Sequence, residues 1–164
     1  MNAELRSEVT YYSTTGIQFI EPAGGVLSDD ALIASRDTDE DLAVERQAEA
    51  IRLKMQDLLD RLEDGWDSYG ARAPQRHLFV AGLRLIEGLL HTDIAAPQVI
   101  PTNKGGVQFE WNVGSRELEI EVVGADRFEV FFEDESTGET VEDEVTSRKL
   151  GVLSALVNKL KPTV

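Results

Sequence analysis

From Val107 to Glu133 the chain switches side-chain type at almost every step, and this period of two constrains its fold more than any other feature. Val107, Phe109 and Trp111 alternate with Gln108 and Glu110. Leu118, Ile120 and Val122 alternate with Glu117, Glu119 and Glu121, and Phe128, Val130 and Phe132 with Glu129, Phe131 and Glu133. Successive strand residues point to opposite faces, so each segment reads as an antiparallel strand with one apolar face. Gly114-Ser115 and Gly124-Ala125-Asp126 separate the segments as hairpin turns do. Residues 98 to 100, ahead of the Asn103-Lys104-Gly105-Gly106 turn, are expected to add one strand. Residues 139 to 145, after Thr137-Gly138, are expected to add another.

Elsewhere the period is helical. Val44, Ala48, Ile51, Met55, Leu58 and Leu62 step by four and three residues, which predicts one apolar stripe on a helix over residues 39–64. Leu59 widens the stripe, Thr38 with Asp41 has the spacing of a capping box, and Gly65 is placed to end the helix. The stripe suits packing on the chain's own sheet; a dimer seam is the alternative, disfavoured by a length under four heptads. A second helix is predicted from Pro74 in its first turn to His91, with Leu78, Ala81, Leu85, Ile86, Leu89 and Leu90 on its apolar face. A third is predicted over residues 147–160, with Leu150, Leu153, Val157 and Leu160 inward and Thr146 or Ser147 as cap. The fold class is therefore α+β: an antiparallel meander of three to five strands, covered on one face by two N-terminal helices and one C-terminal helix. Residues 1–40 are expected to form an N-terminal extension, a short hairpin around Gly16 plus a linker, and residues 41–164 a single domain.

Charge narrows the class of function. The 164 residues carry 16 Lys and Arg against 31 Asp and Glu, a net charge of −15. Nucleic-acid backbones and anionic membranes would be repelled, whereas a basic protein partner would be attracted. The absence of cysteine removes disulfides, thiolate metal sites and a Cys nucleophile. No basic-then-apolar leader and no long apolar run are present, so a cytoplasmic location is expected. If the alternation holds, Glu110, Glu117, Glu119, Glu121, Glu129 and Glu133 share the sheet face opposite the helices, either as a solvated face or as the docking surface for that basic partner. A homodimer is also compatible with the sequence.

Catalytic signals are sparse. His77 and His91 fall in one predicted helix with no metal-ligand spacing between them. Lys104-Gly105-Gly106 precedes a strand, where no helix N-terminus could bind phosphate. No catalytic residue, metal or cofactor is expected, and the protein reads as non-enzymatic. The stretch Gly65-Trp66-Asp67-Ser68-Tyr69-Gly70 reads as a structural corner between two helices, with Trp66 and Tyr69 closing the core and Asp67 accepting backbone N–H bonds. A ligand or partner contact through Trp66, Asp67 and Tyr69 is the weaker alternative.

Three ordered motifs, G-W-D-S-Y-G-A at 65–71, I-P-T-N-K-G-G-V-Q-F-E-W at 100–111 and R-E-L-E-I-E at 116–121, resemble a widespread group of short bacterial and phage proteins. Its members carry W-D-x-Y-G-A, P-T-x-x-G-G-x-x-x-E-W and L-E-I-E in this order. The resemblance covers about residues 45–160 and excludes the N-terminal extension. The group has no assigned activity, so no catalytic residue carries over. The resemblance implies a prokaryotic or phage origin and placement in mobile or accessory DNA, where an antitoxin or an inhibitor of a nucleic-acid-handling defence complex would fit. The second function expected is a structural or accessory subunit of a larger assembly, held by the Val44 to Leu62 stripe.

Overall fold

A computed structural model describes residues 10–12, 18–20 and 29–162, with side chains from residue 39 onward. The chain divides into two compact units, Met1–Asp39 and Glu40–Val164. In the first, β1 (Thr10–Tyr12) pairs antiparallel with β2 (Gln18–Ile20), with Tyr11 opposite Phe19. Gly16, the expected turn residue, lies outside the described residues.

Helix α1 runs from Asp29 to Arg61. Residues 29–38, expected as linker, are helical, because Ala31-Leu32-Ile33-Ala34 forms a run free of Gly and Pro that propagates at little cost once a helix is nucleated. Thr38 therefore sits inside the helix, and the Thr38–Asp41 capping box does not start it. The stripe is consumed by the chain's own core: Ala48, Ile51, Met55 and Leu58 are buried, with Val44 and Leu62 half-buried at its ends. Arg52 ties α1 to the next helix, bonding Glu45 and Glu49 on its own helix and Glu87 at 2.9 Å.

Helix α2 spans Arg76–Glu87, shorter at both ends than the sequence suggests. Pro74 lies ahead of it, because Gln75 is engaged elsewhere. The backbone N–H of Gln75 donates to Gly105 O at 2.8 Å and its side-chain amide to Lys104 O at 2.9 Å, which fixes the extended residue from which the helix begins. Gly88 ends the helix, so His91 falls beyond it, where its Nε2 meets Lys161 Nζ at 2.9 Å and its Nδ1 lies 3.5 Å from Asp93.

The sheet is a five-stranded antiparallel meander in chain order: β3 (Gln98–Pro101), β4 (Val107–Val113), β5 (Arg116–Val122), β6 (Arg127–Asp134) and β7 (Glu139–Thr146). A turn of 3-10 helix at Ser147–Lys149 leads into α3 (Leu150–Lys159), with no side-chain cap from Thr146 or Ser147. Leu153, Leu156, Val157 and Leu160 face inward, whereas Leu150 remains exposed.

One core unites the three helices with the inner face of β3 to β7. Val99, Val107, Phe109, Trp111, Leu118, Ile120, Val122, Phe128, Val130, Phe132 and Val145 pack there with Ile51, Met55, Leu58, Phe79, Leu85, Ile86, Leu153 and Leu160. The helices thus cover one face, and the other is left to the alternate residues. Phe79 is not on the predicted face of α2, yet it is buried to 1 % exposure beside Leu78. The face is wider than the stripe because Gly82 lets the helix approach β4 closely: a Cβ there would lie 2.8 Å from Val107 Cγ1 and 3.3 Å from the Phe109 ring.

Gly82→Ala tests this contact. Alanine gains about 1 kcal/mol in intrinsic helix propensity, but overpacking a closed core costs about 1–3 kcal/mol. Val107 is β-branched and fully buried, so it has no rotamer into which to retreat. The expected outcome is a lower urea midpoint at unchanged m-value. A midpoint equal to or above that of the parent would show that α2 does not press on β4.

Candidate protein-binding face

The outer sheet face is set by the inner one, since strand residues of opposite parity cannot share a side. Val107, Phe109 and Trp111 inward place Gln108 and Glu110 outward, and Leu118, Ile120 and Val122 do the same for Glu117, Glu119 and Glu121. On β6 the outer residues are Arg127, Glu129, Phe131 and Glu133. All six glutamates expected on this face are therefore brought together. β7 adds Glu142 and Glu144, which stand opposite Phe131 and Glu129. These two were missed because β7 (ETVEDEVT) lacks a clean apolar period; only Val141 and Val145 mark its inner side.

On this face four cross-strand positions set acid against acid: Glu110 opposite Glu119, Glu117 opposite Glu133, Glu121 opposite Glu129, and Glu129 opposite Glu144. Among the described strand residues, the one base on this side is Arg127, whose guanidinium lies 3.8 Å from Glu144. Same-face residues recur about every 7 Å along a strand and strands lie about 4.8 Å apart, so the carboxylates form a fixed lattice. Glu119 lies at its centre. Partial burial, then the charges of Glu110, Glu117 and Glu121, raise its carboxyl above the ordinary glutamate value.

Phe131 is the aromatic exception in this lattice. It is half-buried, opposite Glu119 on one side and Glu142 on the other, with Glu129 and Glu133 two residues away on its own strand. An open hollow of about 480 Å³ lies here, lined by Gln108, Glu119, Glu121, Glu129, Phe131, Glu142 and Glu144. An aromatic face ringed by carboxylates is the environment that a guanidinium or ammonium group favours, through its charge and through the ring quadrupole. Among the described residues, no group of three or more His, Asp or Glu is arranged to hold a metal ion, and no helix is long and apolar enough to cross a membrane.

Not every acid of β6 and β7 lies on this surface. Asp134 faces inward at 5 % exposure, and Arg116 Nε meets its carboxylate at 2.9 Å. Ser136 and Ser115 hydroxyls also donate to it. Hydrogen bonds from Ser136 and Arg116 hold its carboxyl well below the usual aspartate range. Arg116 reaches further, donating through Nη1 to the carbonyls of Lys159 at 2.7 Å and Lys161 at 3.1 Å, so this half-buried arginine joins the buried Asp134 to the negative end of α3.

The corner at Gly65–Gly70 is built as expected in one respect and not in another. Asp67 Oδ1 accepts the N–H groups of Tyr69 (2.8 Å) and Ala71 (2.9 Å), which lowers its carboxyl pKa, Ala71 contributing most. Gly65 (φ +83°) and Gly70 (φ +95°) take left-handed conformations, and so does Ser68 (φ +66°), a non-glycine residue there. Trp66 is half-buried, with its indole N–H on Arg72 O at 3.2 Å. Tyr69, however, does not close the core: it is 95 % exposed. The Asp67-centred turn directs residue 69 away from the body, which the composition of the loop does not reveal. The corner rests on the β3–β4 turn, where Arg72 N–H donates to Asn103 O at 2.9 Å and Gly105 is required because a Cβ would come 2.7 Å from Ala73 O.

Two stability measurements follow from these acids. Glu119→Gln is expected to stabilise the protein at pH 7 by about 0.2–1 kcal/mol, the scale of one cross-strand like-charge contact. Because the folded pKa of Glu119 is raised, its ionisation opposes folding above that pKa. The gain therefore vanishes as pH falls and Glu119 takes up its proton; a gain independent of pH would contradict the assignment. Asp134 behaves oppositely. Its depressed pKa stabilises the fold fully above about pH 3.9, the ordinary aspartate value, and this stabilisation is lost as pH falls through the folded value. Asp134→Asn should lower the urea midpoint at pH 7 and flatten the acid limb of the stability curve, and a variant with the parent's acid limb would exclude Asp134 as its source.

No protein-family model matches the chain, and neither a curated protein nor a solved structure matches it.

Proposed function

We propose that the protein is a non-enzymatic binding module whose acidic sheet face engages a basic protein partner and blocks it, as an antitoxin or a nucleic-acid mimic does. The observation that carries this reading is the arrangement of four acid-against-acid cross-strand pairs on one rigid face. Each such pair costs stability, and Lys or Thr at alternate positions would keep the same alternation without that cost. A lattice of carboxylates presents the charge pattern that a protein surface evolved for phosphates would accept. Long-range attraction from a net charge of −15 would speed the encounter. Phe131, among Glu119, Glu129, Glu133 and Glu142, would receive an arginine of the partner at the centre of the contact, where buried anchors carry most binding energy.

A bacterial or phage setting, and the cytoplasm as the place of action, belong to the same proposal; the sequence motifs at 65–71, 100–111 and 116–121 support them. The alternative of an assembly subunit held by the α1 stripe is weakened by the burial of Ala48, Ile51, Met55 and Leu58 in the chain's own core.

Affinity capture from a bacterial host lysate, followed by a binding titration with the partner it identifies, tests the proposal. Reversing Glu117, Glu119 and Glu121 together to Lys is expected to abolish capture. Phe131→Ala is expected to weaken binding roughly tenfold to a hundredfold, the range of one buried anchor. Capture that survives the triple reversal at full strength would rule out the acidic face.

A further inference from the structure

The last strand, β7, has an open edge. It pairs with β6 on one side, and no described strand lies on the other. Ser147 N–H donates to Asp126 O at 2.9 Å, which sets the parity of hydrogen bonding along this ladder. Val141, Asp143 and Val145 therefore turn their backbone groups to β6, whereas Thr140, Glu142, Glu144 and Thr146 turn theirs to the open edge. Thr140, Glu142 and Glu144 are exposed, and the strand holds no proline in its eight residues. One open-edge donor has a local partner: Glu144 N–H bonds the Asp143 carboxylate at 2.8 Å. A long strand with unpaired donors and acceptors is a template for another chain. The opposite edge of the sheet is not. β3 has four residues, Pro97 precedes it and Pro101 ends it, and proline has no N–H to offer.

Charge decides which strand this edge can take. β7 carries Glu139, Glu142, Asp143 and Glu144 and no base. Lys159 engages Glu139, and Arg127 lies 3.8 Å from Glu144. Arg148 and Lys149 are exposed past the end of the strand, in the 3-10 turn. Glu142 and Asp143, in its middle, take part in no ion pair among the described residues. Glu142, Asp143 and Glu144 also line the hollow at Phe131, so the open edge and the acidic face are one continuous surface. A second copy does not suit this edge. Two β7 strands side by side would set acids against acids, and β3 lacks the donors. A basic strand from another protein meets both the open backbone and the unpaired carboxylates.

We propose that β7 accepts an extended basic segment of the partner as an added strand of the sheet. Resting on the acidic-face reading, this contact gives the partner's form as well as its charge. Backbone bonds to Thr140, Glu142 and Glu144 supply affinity, and alternate side chains supply specificity. Residues directly opposite in an antiparallel pair share a face, so those paired with Glu142 and Glu144 point to the outer side. An arginine at such a position meets these carboxylates and extends toward Phe131. The Asp143 carboxylate then gives up Glu144 N–H to the incoming backbone. The recognition element is therefore a strand with a basic residue at every second position, not a basic helix face.

Calorimetric titration of the full chain with the peptide Arg-Thr-Arg-Thr-Arg-Thr-Arg-Thr tests the proposal, beside two forms of it N-methylated at alternate amides. All three peptides carry the same charge. Methylation at the Arg amides, which face β7, should weaken binding about tenfold or more, and methylation at the Thr amides, which face solvent, should leave most of it. Thr140→Pro removes an open-edge donor and no charge, at a position where the ladder to β6 loses nothing. It should weaken the unmethylated peptide while the urea midpoint stays near that of the parent. If all three peptides bind alike, strand addition is wrong and the acidic face acts by charge alone. If methylation discriminates but reversing Glu117, Glu119 and Glu121 to Lys changes nothing, strand addition stands and the outer-face reading fails. If no peptide binds, both are overturned.

Discussion

The structure depends on the register of one sheet. Val107, Phe109, Trp111, Leu118, Ile120, Val122, Phe128, Val130 and Phe132 must face the helices together. A slip of one residue in β5 or β6 would drive a row of glutamates into the core, where unpaired carboxylates cannot be accommodated. The same constraint that makes the core therefore fixes the lattice of acids behind it. Outer glutamates on a loosely paired sheet could spread apart. Here they are held strand to strand, and at Glu119 burial, with the charges of Glu110, Glu117 and Glu121, raises the carboxyl pKa. The acidic face is thus fixed by the same strand pairing as the core that opposes it.

Both ends of the sheet are finished by polar groups that double as structural joints. At one, Arg116 bonds the buried Asp134 and also the last carbonyls of α3. Removing Arg116 would leave the buried Asp134 charge unpaired and the end of α3 without this partner. At the other, the Gly65–Gly70 corner is stitched to the β3–β4 turn through Arg72, Gln75 and Gly105. The second joint presents Tyr69 to solvent.

Much of this was legible in the sequence, and the failures have physical causes. The alternation at 107–133 located β4, β5 and β6 because each buries one face only, and the spacing from Val44 to Leu62 located the buried stripe of α1. The six glutamates on the outer face followed from the same alternation. Glu142 and Glu144 did not, because an edge strand with few inward apolar residues has little period to read. The burial of Asp134 was not legible because sequence cannot show that Arg116, 18 residues earlier, would meet it across β5 and β6. The start of α1 was lost in a run of mixed polar residues, and the start of α2 was misplaced because long-range bonds to Gln75, not the proline, set it. Tyr69 was misjudged for a general reason: an aromatic in a glycine-rich corner is usually buried, and only the Asp67 turn geometry turns it outward.

The central claim is that the outer sheet face, and no other surface, receives a basic polypeptide. Backbone amide chemical shifts recorded during titration with an arginine-rich peptide test it most directly. The expected result is a saturable set of shifts confined to outer residues of β4 to β7, largest around Glu119, Phe131 and Glu142, and absent in a variant with Glu117, Glu119 and Glu121 reversed to Lys. Shifts scattered over the acids of α1 as strongly as over the sheet, or none that saturate, would contradict it.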